Sequence, residues 1–179
     1  MFAVIVVDMV KEFVTGKFGS DRAVRCAKEV EKLIRIAREK GWRVIFTKDV
    51  HLPEDFEFRV WGEHCVLGTE GTELIFDTEP EDIIIEKMRY DAFFNTPLDT
   101  ILRNLGVKKV ILAGISTDIC VQHTAAGAFF RNYEVAICEE CTESIDEKTK
   151  LNALEYMKRV YGAKTVSYTH LTLPTILLV

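Results

Sequence analysis

Hydrophobic and polar positions follow two rhythms that take turns along the chain. Phe2 to Val7 is an unbroken apolar run closed by Asp8, the pattern of a strand buried on both faces of a parallel sheet. From Asp21 to Lys40 the period changes: Val24, Ala27, Val30, Leu33, Ile34 and Ala37 recur at helical spacing, and Gly41 supplies a C-terminal stop. The succession then repeats. Strands are expected at Arg43 to Thr47, Ile83 to Glu86, Lys109 to Ala113 and Glu134 to Cys138, and helices at Thr96 to Asn104, Val121 to Arg131 and Glu147 to Val160. Strands alternating with helices imply right-handed crossovers and helices on both faces of the sheet. The expected fold is therefore α/β, a single three-layer α/β/α domain with a mostly parallel sheet, over residues 1–166.

Two stretches break this pattern. Asp49 to Glu73 holds His51, Pro53, Trp61, His64, Gly68 and Gly71 without a clean period, and a long irregular insertion at a strand end is more often functional than merely tolerated. Residues 167–179 form an apolar tail that fits no further βα unit. A foreign or processed extension would have this character, and no role is expected of it.

Composition narrows the classes. With 179 residues and 48% hydrophobic residues, one well-packed domain is expected, and disorder is not. A formal net charge of −5 disfavours nucleic acid as a partner. The N-terminus lacks a basic region and a cleavage site, and no apolar stretch reaches membrane-spanning length, so neither a secretion signal nor a membrane is expected. Five scattered cysteines, an odd number, fit a reducing cytoplasmic compartment better than a disulfide framework.

In an open parallel sheet, ligands collect outside the carboxyl ends of the strands. Asp8 ends the first strand, Lys87 follows IIIE, and Cys120 follows VILA and its turn, AGISTDIC. Cys120 is expected at a helix N-terminus, where the dipole favours the thiolate. Acid, base and nucleophile are what acyl transfer from an amide requires: Asp8 would take the thiol proton and pass it to the departing nitrogen, while Lys87 lowers the thiol pKa. Asp49-x-His51 puts a carboxylate and an imidazole on one side of a strand end, and His64, in WGEHC, is placed so that a loop can return it as a third ligand. Such a set leaves positions open for water and substrate, as catalytic zinc or iron sites do. The pair Cys138 and Cys141 spells C-x-x-C, but no second pair completes a metal site, so both are read as strand-end packing. Cys26 and Cys65 have no evident partner, and His123, three residues beyond Cys120, is given at most a place beside the pocket. No G-x-G-x-x-G or phosphate-binding loop occurs.

The segments IVVDMVKEF and EKMRYDAFFNTPLDTILRNLGVKKVILAGISTDICVQHTAAGAFFRNYEV resemble the isochorismatase-like cysteine hydrolases, the superfamily that includes nicotinamidases. The resemblance implies an Asp8, Lys87, Cys120 triad, a thioester intermediate, and a cis peptide between Ile115 and Ser116 that aims the backbone N–H groups of Ser116 and Cys120 at the oxyanion. It also implies a divalent metal on Asp49, His51 and His64, with zinc ahead of iron or manganese, and a ring-binding wall of Phe13, Trp61, Tyr90 and Phe93. A homo-oligomer is expected by the same analogy. The segment YDAFFNT departs from the YSGF of nicotinamidases and is nearer to ureido-type and isochorismatase-type members. The leading expectation is a metal-assisted amidohydrolase that acts on a small amide, converting nicotinamide to nicotinate and ammonia. The alternatives are a ureido-acid amidohydrolase or isochorismatase of the same superfamily and, from another class, a flavodoxin-like binding module with an inert Cys120.

Overall fold

Six strands form one sheet: β1 (Phe2–Val7), β2 (Arg43–Asp49), β3 (Ile83–Lys87), β4 (Lys109–Ile115), β5 (Glu134–Glu143) and β6 (Lys164–Val166). The structure, a computed structural model, describes residues 1–167 and Leu171. Apart from Ser167 and Leu171, the apolar tail lies outside the described residues. Every neighbouring pair of strands is parallel, in the order β3-β2-β1-β4-β5-β6. The order reverses between β1 and β4, and at such a switch point the connections leave toward opposite faces and open a crevice.

The helices are α1 (Lys11–Val14), α2 (Asp21–Glu39), α3 (Phe58–Trp61), α4 (Leu98–Asn104), α5 (Gln122–Phe130) and α6 (Glu147–Tyr161). The long ones carry the start and stop signals their sequences suggest. The Ser20 side chain accepts from the Ala23 N–H to cap α2, and Asp146 does the same for Thr149 at the start of α6, which ends on Gly162 in the left-handed region. Val30, Leu33 and Ala37 of α2 pack with Val4, Val6 and Phe46 on one face of the sheet. On the other face, Leu98 and Leu102 of α4, Ala125 of α5 and Met157 of α6 pack with Ile5, Ile45 and Leu112. The three-layer α/β/α expectation holds. Among the described residues, no helix is long and apolar enough to cross a membrane.

Departures from the pattern reading cluster at the carboxyl ends of the strands. β2 runs on through Lys48 and Asp49, paired with Glu86 and Lys87 of β3; Asp49 and Lys87 interrupt the apolar run because they meet each other at the site, while Lys48 and Glu86, on the other side of the strands, form an ion pair. β5 pairs Ile137 with Leu112 and then Thr142 with Gly114, so the stretch from Cys138 to Cys141 bulges between two lengths of ladder. The two cysteines, expected as separate packing residues, are joined as a disulfide with a Cα separation of 5.1 Å. Proximity across the bulge, which spacing alone does not reveal, brings the sulfurs together; Cys26, Cys65 and Cys120 are free. β6, α1 and α3 are too short to set up a detectable period.

Gly114 pairs with Val7 of β1 and has φ +110. A Cβ there would overlap the Val7 carbonyl oxygen, so the backbones can approach only at glycine. Gly41 also has a positive φ, but open space surrounds it. Gly114→Ala is therefore expected to lower unfolding free energy by roughly 3 kcal/mol or more, and Gly41→Ala by about 1 kcal/mol, in urea denaturation. Equal losses in the two variants would refute the close-approach argument.

Candidate active site

Asp8 follows β1 directly and adopts φ 51, a left-handed conformation that Asp tolerates better than most residues. Its backbone N–H donates to the Thr47 carbonyl at 3.2 Å, and Thr47 Oγ1 donates to Asp8 Oδ1 at 2.7 Å. These contacts fix the carboxylate at the switch point. Its other oxygen, Oδ2, lies 2.7 Å from Lys87 Nζ in an ion pair where it gains no aligned hydrogen bond.

Lys87, the last residue of β3, is buried. Its ammonium also reaches Asp49 Oδ1 at 3.1 Å, the Arg89 carbonyl at 2.9 Å and Cys120 Sγ at 3.8 Å. Burial works to lower the lysine pKa, but the negative groups around it outweigh this and hold it well above its ordinary value. It stays charged. For Asp8, burial pushes the pKa up and the ammonium only partly offsets it.

Cys120 lies in a π-helical turn, Thr117–Val121, that leads into α5. The turn follows a cis peptide between Ile115 and Ser116, as the resemblance implies. Thr142 holds the turn's base, donating to the Gly114 carbonyl and bonding Thr117 Oγ1, both at 2.8 Å. The expectation that a helix start makes Cys120 a resting thiolate does not hold. The thiol is buried, and burial pushes its pKa well up; Lys87 pulls it down, but Asp8 and Asp49 add to the rise. At rest it is a thiol beside a carboxylate that can take its proton.

The irregular insertion is folded back by a short pairing of His51 with Val66: the His51 N–H donates to the Cys65 carbonyl, and the Leu67 N–H to that of His51, both at 2.8 Å. His64 is thereby brought beside His51, with ring centroids 4.7 Å apart. Asp49 Oδ2 lies 2.9 Å from His51 Nε2 and 3.5 Å from His64 Nε2. Glu57, which the sequence reading missed, joins them: one ligand atom from each of Asp49, His51, Glu57 and His64 falls within 4.8 Å of the others. Only its position six residues beyond His51 hinted at it.

Two nitrogens, two carboxylates and burial fit a divalent ion such as zinc. The orientation agrees, because His64 Nδ1 lies 2.7 Å from the Gly62 carbonyl and must donate to it, which turns Nε2 toward the cluster as the atom free to coordinate once its proton leaves. Burial raises the Asp49 pKa, but Lys87 and the two histidines overcome this and hold it far below the usual carboxylate range. Burial also works to lower the His51 and His64 pKa values, and Asp49 outweighs it, leaving both raised. Burial and the Asp49 charge together raise that of Glu57.

The thiol and this cluster open on one cavity of about 450 Å³, lined by Asp49, Glu57, His64 and Cys120 and walled by Phe13, Phe18, Trp61 and Tyr90. Ser116 also lines it. Trp61 Nε1 donates to the Tyr90 hydroxyl at 2.9 Å, and Phe18 meets both Trp61 and His64 edge-on. Phe18 was not foreseen, because an aromatic in a polar loop resembles any surface residue. Phe93 is corrected: it lies in the core, its ring stacked on Tyr133 at 5.9 Å, because YDAFF turns it inward. His123 bonds the Ile119 carbonyl at 2.7 Å and is exposed; its ring packs on Tyr90 at 5.3 Å, behind the cavity lining and not in it.

The isochorismatase-domain family model matches residues 2–169. An uncharacterized isochorismatase family protein of Bacillus subtilis, PncA, is 29% identical over 181 residues, covering 90% of this chain and 97% of its own. Among solved structures, N-carbamoylsarcosine amidase from Thermoplasma acidophilum superposes with TM-score 0.87 at 38% identity, over 93% of this chain and 95% of its own. The pyrazinamidase of Pyrococcus horikoshii in complex with zinc gives TM-score 0.87 at 33% identity, over 93% and 98%.

The four-residue cluster leads to a binding prediction. Zinc must displace protons that raised pKa values keep on His51 and His64, so affinity is expected to climb as pH rises through and above the ordinary histidine range, near ~6.5. Glu57→Gln and His64→Ala should each weaken zinc roughly tenfold to a hundredfold, read by competition with a chromophoric chelator. Unchanged affinity in both variants would dissolve the cluster as a metal site.

Proposed function

This chain belongs to the isochorismatase family, and from that premise we propose that it is a metal-assisted cysteine amidohydrolase converting nicotinamide to nicotinate and ammonia. Its relatives include amidohydrolases, and it is a hydrolase of carbon–nitrogen amide bonds. The observation that carries the finer reading is that one aromatic-walled cavity is lined both by the Cys120 thiol and by Asp49, Glu57 and His64 of the ligand cluster. That arrangement suits a flat aza-aromatic amide held at two points.

In this proposal Asp8 accepts the Cys120 proton through Oδ2, and the Lys87 ammonium, 3.8 Å from Sγ, stabilises the thiolate as it forms. Sulfur attacks the carboxamide carbon, and the backbone N–H groups of Ser116 and Cys120 receive the oxyanion. Asp8 returns its proton to the departing nitrogen, and ammonia leaves a thioester. Water, deprotonated by Asp8, then releases the acid and restores the thiol. Asp49, His51, Glu57 and His64 would hold the ion, zinc ahead of iron or manganese, and the chemistry it supplies when bound is a coordination point for a ring nitrogen. Phe13, Phe18, Trp61 and Tyr90 sandwich the ring. A cytoplasmic homo-oligomer belongs to the same proposal.

A ureido compound is the second reading, favoured by the 38% identity to an N-carbamoylsarcosine amidase and by YDAFFNT. The test is ammonia release from nicotinamide, benzamide, N-carbamoylsarcosine and isochorismate. Nicotinamide should exceed benzamide, which has the same shape without a ring lone pair, and chelation should erase that advantage. Retention of the full advantage by metal-free protein would move the ureido reading ahead. Cys120→Ala should abolish turnover, and Asp8→Asn should lower kcat by roughly 10²–10⁴. Near-normal turnover in Asp8→Asn would remove the proton path.

A further inference from the structure

Beside the single imidazole of His64, the charged side chains of the cavity wall are all acidic. Among the described residues the wall carries four carboxylates, Asp49, Glu57, Asp118 and Glu143, and no lysine or arginine. Nearby cations are engaged elsewhere: Lys87 is buried against Asp8 and Asp49, and Lys17 donates to the carbonyls of Trp61 and Glu63.

The four carboxylates are not equivalent. Asp49 and Glu57 belong to the ligand cluster, where a divalent cation would balance them. Glu143 is paired with Arg22 at 2.6 Å. Asp118 has no cationic partner among the described residues. It lies two residues before the thiol in the same turn, and the Ser144 hydroxyl donates to its Oδ1 at 2.7 Å, fixing the carboxylate on the wall. The start of α2 does not compensate, since Ser20 spends its side chain capping Ala23 and Asp21 sits in the first turn.

We propose that Asp118 sets the charge selectivity of the cavity, admitting uncharged amides and turning away those that bear a carboxylate. A carboxylate confined near an unpaired one in a low-dielectric cavity loses hydration and gains repulsion, whereas a carboxamide has no net charge to repel. The proposal rests on reading the cavity as an amidohydrolase site, but not on nicotinamide being the amide. It also sets this chain apart from any relative whose substrate is an acid, including the ureido acids of the second reading.

Alkylation of Cys120 measures this field without a known substrate. Iodoacetamide and iodoacetate differ chiefly in charge, and their rates at Cys120, followed by peptide mapping on zinc-supplied protein, can be compared with those at the neutral thiol mercaptoethanol. The preference for iodoacetamide should exceed the mercaptoethanol value by roughly tenfold and shrink as salt is raised. Asp118→Asn, which keeps the shape and the bond from Ser144, should remove most of the excess, and Glu143→Gln, whose charge is already paired, much less. A ratio equal to that of mercaptoethanol, or one unchanged in folded Asp118→Asn protein, overturns the proposal. Ammonia release from N-carbamoylglycine methyl ester should likewise exceed that from N-carbamoylglycine, and the reverse order also overturns it. If nicotinamide is not hydrolysed while the alkylation preference stands, the substrate reading fails and the selectivity remains.

Discussion

A single buried ammonium organises the centre of this protein. Lys87 has no access to water, so its charge must be met inside the protein, and Asp8 and Asp49 meet it at 2.7 and 3.1 Å. Removing one partner of such an arrangement leaves an uncompensated charge and costs about 3–5 kcal/mol. The lysine thus ties the strand-end carboxylate beside the thiol to the carboxylate at the head of the histidine cluster. Two chemically distinct halves of the site become one electrostatic unit.

The fold supplies that unit without loops of its own design at the centre. Asp8, Asp49 and Lys87 end or directly follow the neighbouring strands β1, β2 and β3, and Cys120 follows β4 across the switch point. β1 and β2 are hydrogen-bonded to strands on both sides and β3 is held along β2, so the charged groups keep their separations. The thiol sits on the element with the most unusual backbone, where Gly114 lets β4 press against β1 and Thr142 of β5 grips the turn.

Burial then determines the resting chemistry. A helix start alone would favour a thiolate at Cys120, but desolvation and two neighbouring carboxylates oppose it, leaving a thiol at rest. Carboxylates continue along the cavity wall to Asp118, and in the selectivity proposed above that unpaired one gives the cavity a sign as well as a shape.

The sequence by itself determined the elements, the layer order and the chemical inventory. Continuous apolar runs and helical spacing marked five of the strands and the long helices, because burial on two faces or along one stripe leaves a periodic trace. It also marked Asp8, Lys87, Cys120, Asp49, His51 and His64, since strand-end chemistry stands out against apolar runs. Only the tertiary structure decided what depends on the meeting of distant segments. Glu57 enters the cluster because the pairing of His51 with Val66 folds the insertion back; Phe18 reaches the cavity while Phe93 turns into the core; and the sulfurs of Cys138 and Cys141 meet across a bulge that no spacing announces. The charge states of Cys120 and Lys87 belong to this second group, because a pKa is set by desolvation and by neighbours dozens of residues away, and neither leaves a periodic trace in the chain.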